Sequence, residues 1–221
     1  LWDVIAAKGF EKDMYFEMAA RDIRALPKLE GTVHVNMALI IKFMANYFFN
    51  PAEFSDMPKM DDPNNDDFLF AQGATRGLGK IQFHDSALAY NSIKLPNLAV
   101  FKQQIEVLKE LLLTAAPTKE QAEDIDFLLN LGELFTLVAY GQLLIEQAKI
   151  EAVEDDIMDQ IFDFMVRDFS KFALQLYSKT TATDAQMALC MKMINKSVKD
   201  PKRFHRVWEN HVIGLNGAYQ M

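Results

Sequence analysis

From Glu154 to Lys179 the apolar side chains recur at Ile157, Ile161, Phe164, Met165, Phe169, Phe172 and Leu176. That spacing places them along one face of a helix. Glu154, Asp155, Asp156 and Asp159 crowd the first turns, where the helix dipole favours negative charge, and Lys171 and Lys179 stand toward the other end. Nowhere does the chain sustain the apolar/polar alternation of a half-buried strand. The fold class expected is therefore all-α, with helices burying such stripes against one another as an up-and-down bundle.

Other segments carry the same period. Asp13 to Leu26 reads as a helix with Pro27 just past its end, and Trp2 to Lys8 as the tail of another, stopped at Gly9. Val33 to Phe49 reads as a long apolar helix with Thr32 placed to cap it. Asn97 to Ala115 is a further helix. Thr118 or Lys119 opens the next, running to about Ala152, and Asp184 to Lys196 and Pro201 to Val212 complete the set. Between them, Asn50 to Asp67 holds three prolines and many acids and reads as a linker, followed by a glycine-punctuated stretch. Three parts follow, 1–50, 51–95 and 96–221, the last a helical bundle.

Composition narrows the function classes. A chain of 221 residues with half of them hydrophobic can bury a substantial core, and 12 Met and 17 Phe supply it. The net charge of −8 argues against a nucleic-acid partner, which needs a basic footprint. The one cysteine, Cys190, lies in an apolar helical pattern and reads as a buried, inert thiol, which fits a reducing cytoplasm. The run Val33 to Phe49 falls short of the ~20 residues of a membrane span and holds His34, Asn36, Lys42 and Asn46. The opening Leu-Trp-Asp does not resemble a signal peptide and reads as the middle of something longer.

Several motifs fail on inspection. Gly73 to Lys80 imitates a phosphate-binding loop, but Ala74 holds the glycine position and Ile81 follows the lysine in place of Ser or Thr. None of the four histidines, His34, His84, His205 and His211, has the carboxylate spacing of a helical metal site, so no metal is expected. No Gly-x-Ser-x-Gly elbow occurs. The basic, aromatic segment Lys199 to Trp208 has the look of an interfacial helix. The commoner arrangement, a helix docked by one buried Phe and one buried Trp, is expected instead, and membrane attachment is not.

One stretch carries a more specific pattern. Arg21-Asp22-Ile23-Arg24 is followed by Glu30-Gly31-Thr32 and then the long apolar helix. Upstream, in the same register, stand Gly9-Phe10 and Glu17, and before them Asp3-Val4-Ile5-Ala6-Ala7. This arrangement over residues 1–49 resembles the C-terminal signature of acyl-CoA dehydrogenases: an Arg-Asp-Ala-Arg block, an Ile-Tyr-Glu-Gly-Thr block and the last core helix. Here Leu29 stands for the tyrosine, Ala6-Ala7 for a Gly-Gly pair, Asp3 for a glutamine and His34 for a polar residue that is often glutamine.

The resemblance implies an acyl-CoA dehydrogenase C-terminal-domain-like fold for residues 1–50, with 96–221 an appended helical domain. It implies an FAD-dependent oxidoreductase that desaturates the α,β bond of an acyl thioester. Glu30 would be the catalytic base, Gly31 would lie against substrate, and Thr32, Val33, His34, Ala6 and Ala7 would face FAD. A base for so weak a carbon acid gains from a dry pocket, and a helix N-terminus suits diphosphate. The added methyls of Ala6 and Ala7 and the charge of Asp3 work against tight FAD binding. A homo-oligomer is implied, with the electron acceptor left open. The competing expectation is a helical oligomerisation scaffold derived from that fold, in which Glu30 only precedes a helix, Gly31 turns the chain and Thr32 caps.

Overall fold

The computed structural model describes residues 15–29, 31–53 and 81–215, together with Ala7, Gly9, Glu11 and Gly77. Its elements are helices α1 (Tyr15–Leu29), α2 (Val33–Ile40), α3 (Met44–Phe49), α4 (Ser86–Tyr90), α5 (Pro96–Thr114), α6 (Ile125–Ile150), α7 (Asp155–Tyr177), α8 (Asp184–Met193) and α9 (Pro201–Val207). A 3-10 turn, Ile41–Phe43, joins α2 to α3, and a π turn, Trp208–Val212, continues α9. There is no strand among the described residues.

Helices α5 to α8 form the expected up-and-down bundle. The starts of α5, α6, α8 and α9 are fixed locally. Pro96 opens α5 and Pro201 opens α9, at positions where a missing N–H costs nothing. The Asp124 carboxylate accepts from the N–H groups of Asp126 and Phe127 to open α6. Thr183 and Gln186 exchange side-chain and backbone bonds as a capping box at the start of α8. Directions follow from side-chain bonds between helices. Asn97 meets Asp159 and Gln104 meets Val166, so α5 and α7 run parallel. Lys179 at the foot of α7 meets Asp126 at the head of α6, and Gln104 also reaches Met193, so α6 and α8 run the other way.

Phe101, Phe127, Phe162 and Phe169 are completely buried at the centre. Phe101 packs on Phe162 and Phe169 with ring centroids 5.5 and 5.6 Å apart. Gly141 lets α4 close in: a Cβ there would stand 2.6 Å from the Tyr90 hydroxyl and 3.2 Å from Phe101. The Tyr90 hydroxyl donates to the Val138 carbonyl at 2.5 Å. Helix α6 is long and apolar enough to cross a membrane by composition alone, but nearly half of that window is buried against its neighbours. Met44 and Tyr47 of α3 belong to the same core.

Several sequence expectations need correction. Helix α1 continues through Pro27 to Leu29, because a proline this near the end withdraws one donor and leaves little helix to break. Thr118 does not open α6. Its N–H and hydroxyl close a local turn with Gln121, and the helix restarts at Asp124. In α7 the buried face is Met158, Phe162, Met165, Val166, Phe169, Ala173 and Leu176, so Phe164 of the expected stripe faces solvent. Asp159 is buried and paired instead of serving the helix dipole from the surface. The expectations for 2–6, 8 and 54–76 lie outside the described residues.

Candidate functional site

The segment with the dehydrogenase-like pattern is a helix, a reversal and a second helix. Gly31 takes φ +104°, a left-handed backbone that an L side chain rarely adopts, and this turns the chain between α1 and α2. The Thr32 hydroxyl accepts from the Val35 N–H at 3.4 Å, and its carbonyl accepts from the Asn36 N–H at 3.0 Å. Gly132 of α6 roots the second helix: a Cβ there would meet the Met37 sulfur at 3.1 Å and Ile41 at 3.4 Å. Val33 and His34 stand at the surface, Val33 half exposed. Ala7 is exposed; Glu30 and Ala6 lie outside the described residues. The structure thus brings Gly31, Thr32, Val33 and His34 together at one helix N-terminus.

The apolar residues along α1 and at the start of α2 are largely uncovered. Tyr15, Ile23, Leu26 and Leu29 of α1 are each about two-thirds exposed, and Val35 of α2 is 61% exposed. The charged residues of α1 are surface groups; Glu17 and Arg21 pair at 3.3 Å in solvent.

Two grooves are lined by other residues. One, of about 790 Å³, runs between α4 and α5 over Leu95, Leu98 and Ile105, with Lys94, Lys102 and Lys109 along it. The second, of about 840 Å³, lies where α9 meets α7, over Gln160, Ser170 and Arg203.

Beside the second groove is a buried polar knot. Asp159 accepts from the Asn97 backbone N–H at 2.8 Å and from its side-chain amide at 3.0 Å. Arg203 pairs with Asp159 and, at 3.0 Å, with Asp163. Asn97 in turn accepts from the Val198 N–H at 2.7 Å. Arg206 grips Asp156 with two bonds at the surface, which holds the Asp156 carboxyl below the usual carboxylate range. The C-terminal segment therefore docks through arginines. Phe204 and Trp208, expected to be its buried anchors, stack on each other 6.2 Å apart and are 57% and 47% exposed. Every partner in this knot ties one chain segment to another, so its role is to hold α9 on the bundle.

A further buried pair joins loop to helix. Gln121 and Gln186 exchange amide bonds at 2.8 and 2.9 Å, and each donates its second hydrogen to a backbone carbonyl, of Thr181 and Ala115. Cys190 is buried as expected, and desolvation pushes its thiol up to about 11, so it stays protonated at neutral pH. Burial likewise raises the Tyr47 phenol to about 12, while its hydroxyl donates to Gln142 at 2.6 Å. Among the described residues no three His, Cys, Asp or Glu gather as a metal set.

The lysines of the first groove and the Asp159–Arg203 knot were missed by sequence reasoning. The signal for the groove was available: Lys102 and Lys109 are two helical turns apart on one face of an amphipathic helix. The knot had no comparable signal, because Arg203 lies far along the chain from both aspartates. In comparisons with protein-family models, curated proteins and solved structures, nothing matches this chain.

Proposed function

We propose that the chain is the C-terminal part of an FAD-dependent acyl-CoA or acyl-carrier dehydrogenase, with Glu30 as the base that removes the α-proton of an acyl thioester. The observation that supports this reading is the reversal at Gly31. A left-handed glycine, next in the sequence after Glu30, leads into a Thr32-capped helix rooted on the bundle. A scaffold helix needs a cap there; it has no need of a glutamate ahead of a left-handed glycine.

The described residues fit one edge of a dinucleotide site. Val33 and His34 stand at the surface at the positive end of α2, and Ala7 is likewise exposed. FAD, when bound, would supply the acceptor for the hydride leaving the β-carbon. On the protein's side, Glu30 would hold the proton taken from the α-carbon. The Gly31 backbone would allow close approach of the thioester, and exclusion of water would raise the proton affinity of the Glu30 carboxylate. The thioester carbonyl needs N–H donors at its oxygen, and the Glu30 N–H is the candidate.

The test is an anaerobic titration of the full-length flavoprotein with medium-chain acyl-CoA, following oxidised-flavin absorbance. The expected result is bleaching with the native chain and none with Glu30→Gln at equal flavin content. Reduction of the Glu30→Gln protein at the native rate would overturn the assignment.

One observation favours a second reading, a non-catalytic oligomerisation scaffold: the uncovered apolar side chains of α1. Under that reading the full-length protein assembles normally, carries no flavin, and loses assembly when Leu26 and Leu29 are made polar.

A further inference from the structure

The groove between α4 and α5 is built differently from the rest of the surface. Its floor is apolar: Leu95, Leu98 and Ile105 are buried beneath it and Ile93 is partly so. It follows α5 from Leu95 to Lys109, about 20 Å of helix. Its volume of about 790 Å³ falls within the range of small-molecule sites, about 300–1,000 Å³. Its charged lining residues are Lys94, Lys102, Lys109 and Glu106, three cations to one anion, in a chain whose net charge is −8.

The cations are not equivalent. Lys109 is matched by Glu106 at 2.9 Å and lies 6.0 Å from the centre of the Phe48 ring. Among the described residues Lys102 reaches a neutral partner, the Asn91 carboxamide oxygen, at 2.5 Å. Lys94 is exposed at the same end, in the turn between α4 and α5. Among the described residues, positive charge without an acidic partner therefore gathers at the α4 end, and the apolar floor runs away from it toward Ile105. A polar head and a long apolar tail are what such a polarity recognises.

We propose that this groove binds a single-chain amphiphile with an anionic head, of the long-chain fatty carboxylate class. The carboxylate sits between Lys94, Lys102 and the Asn91 side chain, and the hydrocarbon lies along α5 over Leu98 and Ile105. The site is independent of Glu30 and of any flavin. The chain's own net charge repels anions, so the local lysines and the apolar floor together must overcome it, and each can be removed separately.

The experiment is equilibrium binding of palmitate to the 221-residue chain by calorimetry, below its micelle-forming concentration. Hexadecanol and octanoate serve as head and tail controls. Saturable binding at one site is expected, with palmitate at least tenfold tighter than either control. Lys94→Glu with Lys102→Glu is expected to weaken palmitate at least tenfold. Ala99→Trp, which fills the groove from an exposed position of α5, is expected to abolish binding with the melting temperature unchanged. Palmitate binding that ignores both variants would place it on other apolar surface and overturn the proposal. So would the absence of palmitate binding in a chain that dimerises through a face blocked by Ala99→Trp, which would make the occupant a second copy.

Discussion

Helix α1 and the bundle of α5 to α8 use similar apolar side chains to opposite ends. In the bundle, Phe101, Phe127, Phe162 and Phe169 are sealed from water, and the buried amides of Gln121 and Gln186 bond each other. In α1, Tyr15, Ile23, Leu26 and Leu29 face solvent. The bundle is closely packed and chemically quiet: its one thiol is pushed up to about 11 and its buried acid is spent on Arg203. Helix α1 is the reverse: it belongs to the segment with the dehydrogenase-like pattern, and nothing in the described residues covers its apolar side chains. Close packing and the dehydrogenase-like pattern thus fall in different regions of the molecule.

The sharpest way to break this comparison is to truncate one apolar side chain in each region. Phe169→Ala opens a cavity among Phe101, Phe162 and their neighbours and is expected to cost about 3–5 kcal/mol. Leu26→Ala, at a position 64% exposed, is expected to stay within about 0.5 kcal/mol. Denaturant unfolding of the 221-residue chain measures both. A large cost for Leu26→Ala would mean that α1 is packed in solution and that the contrast is wrong.

The next effect tests whether the bundle's polar groups are as complete as its packing. Gln186→Leu takes one donor and one acceptor from the Gln121 amide, leaves the Ala115 carbonyl and the Thr183 N–H without that partner, and is expected to cost about 1–3 kcal/mol. Adding Gln121→Leu removes the stranded amide, so the double variant should recover part of that loss. Equal costs for single and double variants would mean that the two amides are not coupled. A double-mutant cycle by thermal or urea unfolding decides it.

The bundle was legible in the sequence because periodicity is a local signal. The windows 97–115 and 154–179 map onto α5 and α7 within a residue or two, since an apolar stripe needs no knowledge of its partner. What failed was what depends on distant residues. Phe164 fits the stripe but turns outward, because Phe162 and Met165 take the interior. Thr118 has the makings of a cap, but its turn closes on Gln121, which Gln186 holds from across the bundle. Phe204 and Trp208 look like anchors, yet Arg203 takes the buried place because Asp159 and Asp163 wait there. At the candidate site, the reversal at Gly31 and the Thr32 cap were readable from residue type alone. The uncovered face of α1 was not, because hydrophobicity does not say what will cover it.

The smallest effect compares two left-handed backbones, one in each region. Gly31 holds φ +104° ahead of α2, and Ala152 holds φ +51° after α6. At Ala152 the Val153 N–H bonds the Ala148 carbonyl at 2.9 Å, the closing bond of a helix end that favours glycine. Ala152→Gly relieves the crowding of its Cβ, offset by the greater freedom of glycine in the unfolded chain, and is expected to stabilise by about 0.5–1 kcal/mol. In a chain this size that raises the melting temperature by about 1–4 °C, readable by calorimetry. Gly31→Ala runs the other way. The space around Gly31 is adequate, with the nearest atom to a new Cβ at 3.5 Å, so the penalty comes from the backbone alone. It should act locally, because the turn is little buried. Hydrogen exchange at the Val35 and Asn36 amides, the two that Thr32 holds, should quicken while the amides of α7 keep their protection. If α7 loosens equally, the reversal at Gly31 is part of the bundle's cooperative unit, and the two regions fold as one.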